Sequence, residues 1–94
     1  MNKCLRIALT AHSSNDFLYS VIQKHARKLG LEGMAQMVDP KNNQIRITIC
    51  GPAVDLDHFI DLIHKETQKF NVNDMEIEPF LKDKDYRSVF RVID

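Results

Sequence analysis

Three sets of side chains in this sequence carry groups that do chemistry in other proteins. The first lies in "ALTAHSSNDFLYS", residues 8–20, where an apolar run ends at Ala11 and a helical run begins near Leu18. Between them stand His12, Ser13, Ser14, Asn15 and Asp16. A polar loop that opens into a helix is a place where backbone N–H groups hold phosphate. This loop has no glycine, lysine or arginine, and it carries an aspartate. It reads as a phosphate cradle, as the remnant of one, or as a helix cap, since Ser, Asn and Asp oxygens accept from first-turn N–H groups.

The second set is His58, Asp61 and His64, spaced i, i+3, i+6, with Asp57 four residues before Asp61. Asp57, Asp61 and His64 on one helix face would be a partial metal site. Zinc sites use more ligands in defined geometry, so the reading is a solvated helix face, and no metal or cofactor is expected. His25 stands among basic residues and is expected to be exposed. Cys4 and Cys50 form the third set. Neither belongs to a C-x-x-C motif, and two cysteines are too few for a secreted disulfide scaffold.

The elements that would position these groups follow from periodicity. Leu5, Ile7 and Leu9 alternate with Arg6, Ala8 and Thr10, a period of two that predicts a strand with one buried face. Leu18, Val21, Ile22, Ala26 and Leu29 form a helical stripe opposite Gln23, Lys24, Arg27 and Lys28. Gly30 is a natural residue to end that helix. "GMAQMV" (33–38) and "QIRITIC" (44–50) predict two strands, joined by the turn residues "DPKNN" (39–43). A second helix is expected over 54–68, with Leu56, Phe59, Ile60 and Ile63 as its stripe. "VNDMEIEPF" (72–80) and "RSVFRVI" (87–93) predict two more strands around the charged loop "KDKDY".

That order is β-α-β-β-α-β with an extra C-terminal strand. It predicts an α+β, ferredoxin-like sandwich: an antiparallel sheet with two helices on one face. The other face would carry Arg6, Thr10, Arg46 and Thr48 toward water. In this fold the first and third strands are antiparallel neighbours. Cys4 and Cys50 both fall at outward positions, so their Cα atoms are expected within about 7 Å, the limit for a disulfide. A cytoplasmic setting would favour the reduced pair.

Ninety-four residues predict one domain, 1–94. Thirteen basic and thirteen acidic residues cancel, which leaves no electrostatic footprint for nucleic acid or an anionic membrane. Nor do the strands expected at the centre offer outward aromatics for stacking on bases. The opening "MNKCLRIALTAH" has a short apolar run broken by Arg6 and does not read as a secretory signal. With no stretch long and apolar enough to span a bilayer, the expected setting is the cytoplasm.

"ARKLGLEGMAQM" (26–37) followed by "ITICG" (47–51) resembles the acylphosphatase family. That family's first loop reads roughly G-x-V-Q-G-V-x-F-R, then come a helix, L-G-L-x-G-W-V-x-N, a strand ending in glycine, and a helix containing F-I. "HFIDLI" (58–63) is similar to that second helix, and "FRVI" (90–93) to the family's closing strand. The resemblance covers essentially the whole chain. It implies hydrolysis of acyl phosphates, with the phosphate held by loop amides and one arginine, and the attacking water oriented by an asparagine.

Counted from "LGL" without gaps, the arginine position falls on Tyr19 and the asparagine position on Met37. A loop glycine falls on Asn15 and a valine on Asp16. His12, Ser13, Ser14, Asn15, Asp16, Phe17 and Leu18 are then the equivalent of the phosphate loop. These replacements remove the chemistry. Arginine offers a cationic fork, whereas tyrosine offers one neutral hydroxyl. Removing one preorganised donor costs about 10²–10³ in rate, and methionine cannot orient a water. Asp16 adds repulsion, roughly 3 kcal/mol for two unit charges about 5 Å apart at an effective dielectric of ~20.

The loop amides remain as a weak site for a small anion. The expectation is an acylphosphatase-like domain without acylphosphatase activity, with a ligand or partner the sequence does not name. The alternatives are an acylphosphatase that uses a non-standard site, with His12 as its candidate group, and a structural or interaction module. Whether Met34, Met37 and Phe17 line an apolar pocket is a question for the structure.

Overall fold

The computed structural model describes residues 2–12, 16–66, 69–80 and 89–93. Strand β1 (Asn2–Thr10) leads to helix α1, whose first part, Phe17–Gln23, is wound as a wide π-type coil and whose second part, Lys24–Lys28, is α-helical. Strand β2 (Glu32–Asp39) turns through a short 3₁₀ segment, Pro40–Asn42, into β3 (Gln44–Pro52). Helix α2 (Ala53–Lys65), β4 (Asn73–Phe80) and β5 (Phe90–Ile93) complete the order. The five strands form one sheet in the order β4-β1-β3-β2-β5.

Alternation sets the two faces of the sheet. Ile7 and Leu9 on β1, and Ile45, Ile47 and Ile49 on β3, are buried beneath the helices. Helix α1 adds Phe17, Leu18, Val21, Ile22 and Ala26, and α2 adds Leu56, Phe59 and Ile63. Full burial of one such aliphatic or aromatic side chain is worth about 1.5–3 kcal/mol, so this single cluster dominates the fold's stability. Arg6 and Arg46 lie on the opposite face, as predicted. Arg6 pairs with Glu78 at 3.6 Å and lies 4.9 Å from the centre of the Phe80 ring.

The sheet is mixed, which corrects the expectation of an antiparallel one. Three strand pairs are antiparallel, but β5 runs parallel to β2. The reason is topological. The chain leaves β4 at one edge and crosses to the other, where the return direction matches that of β2.

Glycine fixes two close approaches between elements. Gly30, at φ +70, ends α1: its N–H donates to the Arg27 carbonyl at 3.1 Å, and Leu31 N–H donates to the Ala26 carbonyl at 2.9 Å. These two bonds form the motif in which a left-handed residue closes a helix. At Gly33, at φ +141, a Cβ would run into the Thr48 carbonyl oxygen of the neighbouring strand. Gly51 packs in the same way against the Leu31 side chain. The sequence stretches "LGLEG" and "ITICG" are therefore two sides of one contact.

Cys4 and Cys50 are register partners on β1 and β3. Their Cα atoms are 4.1 Å apart and the sulfurs are bonded. The expected closeness is met. Direct cross-strand pairing leaves the two sulfurs in bonding contact, in place of the reduced pair that a cytoplasmic setting would favour. Both residues are also buried, although they belong to the face expected to be open. Among the described residues no helix is long and apolar enough to cross a membrane.

Candidate functional site

The first loop starts from a fixed base. At the end of β1 the Ala11 N–H donates to the Asn43 carbonyl at 3.1 Å, and the His12 N–H donates to the Phe70 carbonyl at 2.8 Å. The His12 amide is thus already engaged, while its side chain is exposed. Ser13, Ser14 and Asn15 lie outside the described residues. Asp16 is exposed, and its side chain makes no capping hydrogen bond. The cap expected from this residue is absent because its backbone is already helical, at φ −61 and ψ −42, whereas a capping residue holds extended dihedrals.

Phe17 and Leu18 are not loop residues. Both sit in α1 with their side chains in the core, 0% and 2% exposed. The Phe17 ring meets Phe70 edge-on, with centroids 5.2 Å apart. The helix therefore starts earlier than its stripe from Leu18 predicts. Its opening coil is wide, with hydrogen bonds from i to i+5, so Phe17, Val21, Ile22 and Ala26 all face the sheet. Phe17 directly follows polar residues, so only its hydrophobicity marks it in the sequence as part of the helix rather than the loop.

Tyr19 is 41% exposed on the outer side of this coil. Met37 is on β2, opposite Ile45, which in turn lies opposite Leu9 on β1. These three residues form one row on the helix-facing side, and Met37 packs against the core. Met34 is paired with Thr48 on the other face. A common pocket of Met34, Met37 and Phe17 is therefore ruled out by the alternation of β2.

The position that counting from "LGL" gives to a water-orienting amide, Met37, holds a thioether packed against the core. The position assigned to a cation holds an exposed phenol. Arg6 and Arg46 belong to the opposite face of the sheet from Met37.

The remaining candidates lie elsewhere. His58, Asp57, Asp61 and His64 are exposed on α2. His58 and Asp61 border a groove of about 590 Å³ with Leu29, Leu62 and Lys65. Among the described residues no three His, Cys, Asp or Glu side chains are placed to hold a metal ion.

His25 differs from its expectation of full exposure. Its side chain is half-buried, and among the described residues its buried Nδ1 has no hydrogen-bond partner. Burial first, then the Lys24 ammonium, holds its pKa below the ordinary 6.5. Glu66 opposes the shift and Lys28 adds to it.

A family model described as Acylphosphatase matches residues 17–92. The chain belongs to the acylphosphatase family. Its fold is that family's ferredoxin-like α+β sandwich, as solved structures show. The acylphosphatase from Bacillus subtilis superposes with a TM-score of 0.82 over 100% of both chains, at 18% identity. An acylphosphatase from Coxiella burnetii gives 0.74 over 98% of this chain and 93% of that one, at 19% identity. Full-length HypF, solved in its phosphate- and nucleotide-bound form, gives 0.73 at 16% identity; the match covers 100% of this chain and 12% of HypF. Among curated protein sequences none matches.

Proposed function

We propose that this chain is an acylphosphatase-family domain whose first loop has lost the family's hydrolytic chemistry and whose role is binding. The observation that carries this reading is Met37. The family's water-orienting position is occupied by a side chain packed against the core, which neither donates to nor accepts from a water with useful strength. Two further features support it. Tyr19 stands in place of the cationic fork. Asp16 puts an acid beside the expected phosphate.

A cytoplasmic setting, the expectation from sequence, works against the Cys4–Cys50 bond, because thiols there are kept reduced. Burial of both residues limits access of a reductant, and we take the two as compatible on that ground.

Benzoyl phosphate hydrolysis tests the proposal. The native chain is expected to show no turnover above the uncatalysed rate. Turnover in the ordinary enzymatic range of roughly 1–10³ s⁻¹ would overturn it and direct attention to the exposed His12 side chain. The same assay on the Tyr19→Arg/Met37→Asn double variant locates the loss. Activity gained there means that the loop amides still form a cradle. No activity in the folded variant places the loss in the loop itself, with Asn15 and Asp16.

A further inference from the structure

We propose that the face of the sheet turned away from the helices docks an acidic segment of a partner protein, whose carboxylates meet Arg46 and Arg91. The strand register places these residues. One row across the sheet reads Glu78, Arg6, Thr48, Met34 and Arg91, and the next reads Glu76, Ala8, Arg46, Gln36 and Ile93. Both rows point away from α1 and α2, because the residues between them, Ile7, Ile47 and Ala35, belong to the buried core. Three of the chain's five arginines therefore share this face, and none of its eight lysines stands in either row. Protein interfaces are enriched in arginine and methionine and poor in lysine. A guanidinium fork also meets a carboxylate with two parallel bonds, which an ammonium does not.

The three arginines are not equivalent. Arg6 is engaged within the sheet, 3.6 Å from Glu78 and 4.9 Å from the centre of the Phe80 ring. Arg46 and Arg91 are exposed and make no ion pair among the described residues. Strand spacing and rise put their Cβ atoms roughly 12 Å apart, on either side of β2. Between them Met34 and Gln36 are half-buried and uncharged, and Ile93 is exposed at the edge. In an extended segment, side chains i and i+4 lie on one side, about 13 Å apart. Carboxylates at those two positions reach both arginines, while an apolar side chain at i+2 rests on Met34.

The rim of the face favours protein over nucleic acid. Glu76 and Glu78 lie along β4, and Glu32 stands opposite Cys50 at the end of the same face. A strand with a phosphate at every nucleotide would run against these acids, whereas a protein segment carries acids only where the arginines are. The two rows also hold no aromatic ring on which a base could stack. This face supplies a surface for the binding role proposed above, and its assignment rests on strand register, not on the state of the first loop. Benzoyl phosphate hydrolysis reads the loop alone, so either reading can fail without the other.

Titration of the ¹⁵N-labelled chain with acetyl-Glu-Ser-Leu-Ser-Glu-amide tests it by NMR. Saturable shifts are expected at the Met34, Gln36, Arg46, Thr48 and Arg91 amides, and none with the control acetyl-Gln-Ser-Leu-Ser-Gln-amide. Arg46→Gln and Arg91→Gln, both at exposed positions, are each expected to weaken binding about threefold or more, as for one lost ion pair near a surface. Lys28→Gln, at an exposed position of α1, is expected to leave it unchanged. Absence of saturable binding, shifts centred on the helices, or equal weakening by Lys28→Gln would overturn the proposal. So would a short oligo-dT that binds more tightly than the peptide, which would assign the face to nucleic acid. Sedimentation that shows copies of the chain covering this face with one another, and releasing it in Arg46→Gln, would overturn it as well.

Discussion

The two ends of helix α1 are built on different principles. At its C-terminal end, Gly30 closes the helix with two backbone bonds, and Gly33 and Gly51 let β2, β3 and Leu31 meet at contact distance. At its N-terminal end the backbone of Asp16 is already helical, its own side chain makes no capping bond, and Phe17 and Leu18 are drawn into the core. The C-terminal end carries the acylphosphatase-like "LGLEG", whereas at the N-terminal end the positions counted for the family's arginine, loop glycine and valine hold Tyr19, Asn15 and Asp16. Packing and reaction chemistry thus constrain different residues of one helix. A glycine held against a neighbouring backbone has no substitute.

The sharpest way to break this comparison is at the C-terminal end. Gly33→Ala is expected to cost about 4 kcal/mol or more, at the upper end of single substitutions, because its Cβ meets backbone rather than a movable side chain. Gly30→Ala is expected to cost only about 1–2 kcal/mol, the strain of a left-handed residue with open space around it. Urea denaturation midpoints would measure both. Equal costs would mean that β2 and β3 can separate locally, and that this end is less tightly specified than its contacts imply.

Next in size are the two site positions, taken singly. Met37→Asn puts an amide against the core and is expected to cost about 1–3 kcal/mol. Tyr19→Arg, on the exposed side of the coil, is expected to stay within about 0.5 kcal/mol. If Met37→Asn were neutral in the same urea experiment, its pocket would already be open to water, and the case for a silent site would lose its main support.

The smallest effect concerns His25. Its folded-state pKa lies below 6.5, so the folded state disfavours the proton. Its contribution is fully present above 6.5 and is lost as pH falls from there toward the folded value. Between pH 7 and pH 5 the native chain should therefore lose more stability than His25→Gln. Thermal midpoints at the two pH values would show the difference, and parallel changes in both proteins would remove His25 from the account.

Much of the architecture was legible because it rests on periodicity. The alternation of Leu5, Ile7 and Leu9, and of Ile45, Ile47 and Ile49, places two central strands and both of their faces. The stripe of α2 is equally plain, although the helix runs Ala53–Lys65 rather than 54–68. The closeness of Cys4 and Cys50 was one of two readings that alternation and strand order left open, and the register bears it out. The parallel β2–β5 pair was not legible, since the crossing from one sheet edge to the other leaves no local signal. Nor was the wide coil of α1, because apolar residues four and five apart fit either winding. The site was readable only as replacements, Tyr19 and Met37. That Met37 joins a row with Ile45 and Leu9 required the register of three strands.

The Cys4–Cys50 bond also decides how the chain carries load. It bridges a sequence separation of 46 residues, about 160 Å of extended chain at roughly 3.4 Å per residue. Tension applied to the two ends passes from residue 4 directly to residue 50. Helix α1, strand β2 and the hairpin turn lie in the bypassed loop and bear none of it. Only α2, β4 and β5 can be drawn out until the sulfurs part, so a reductant, and not a stronger pull, is what would release the first half of the molecule.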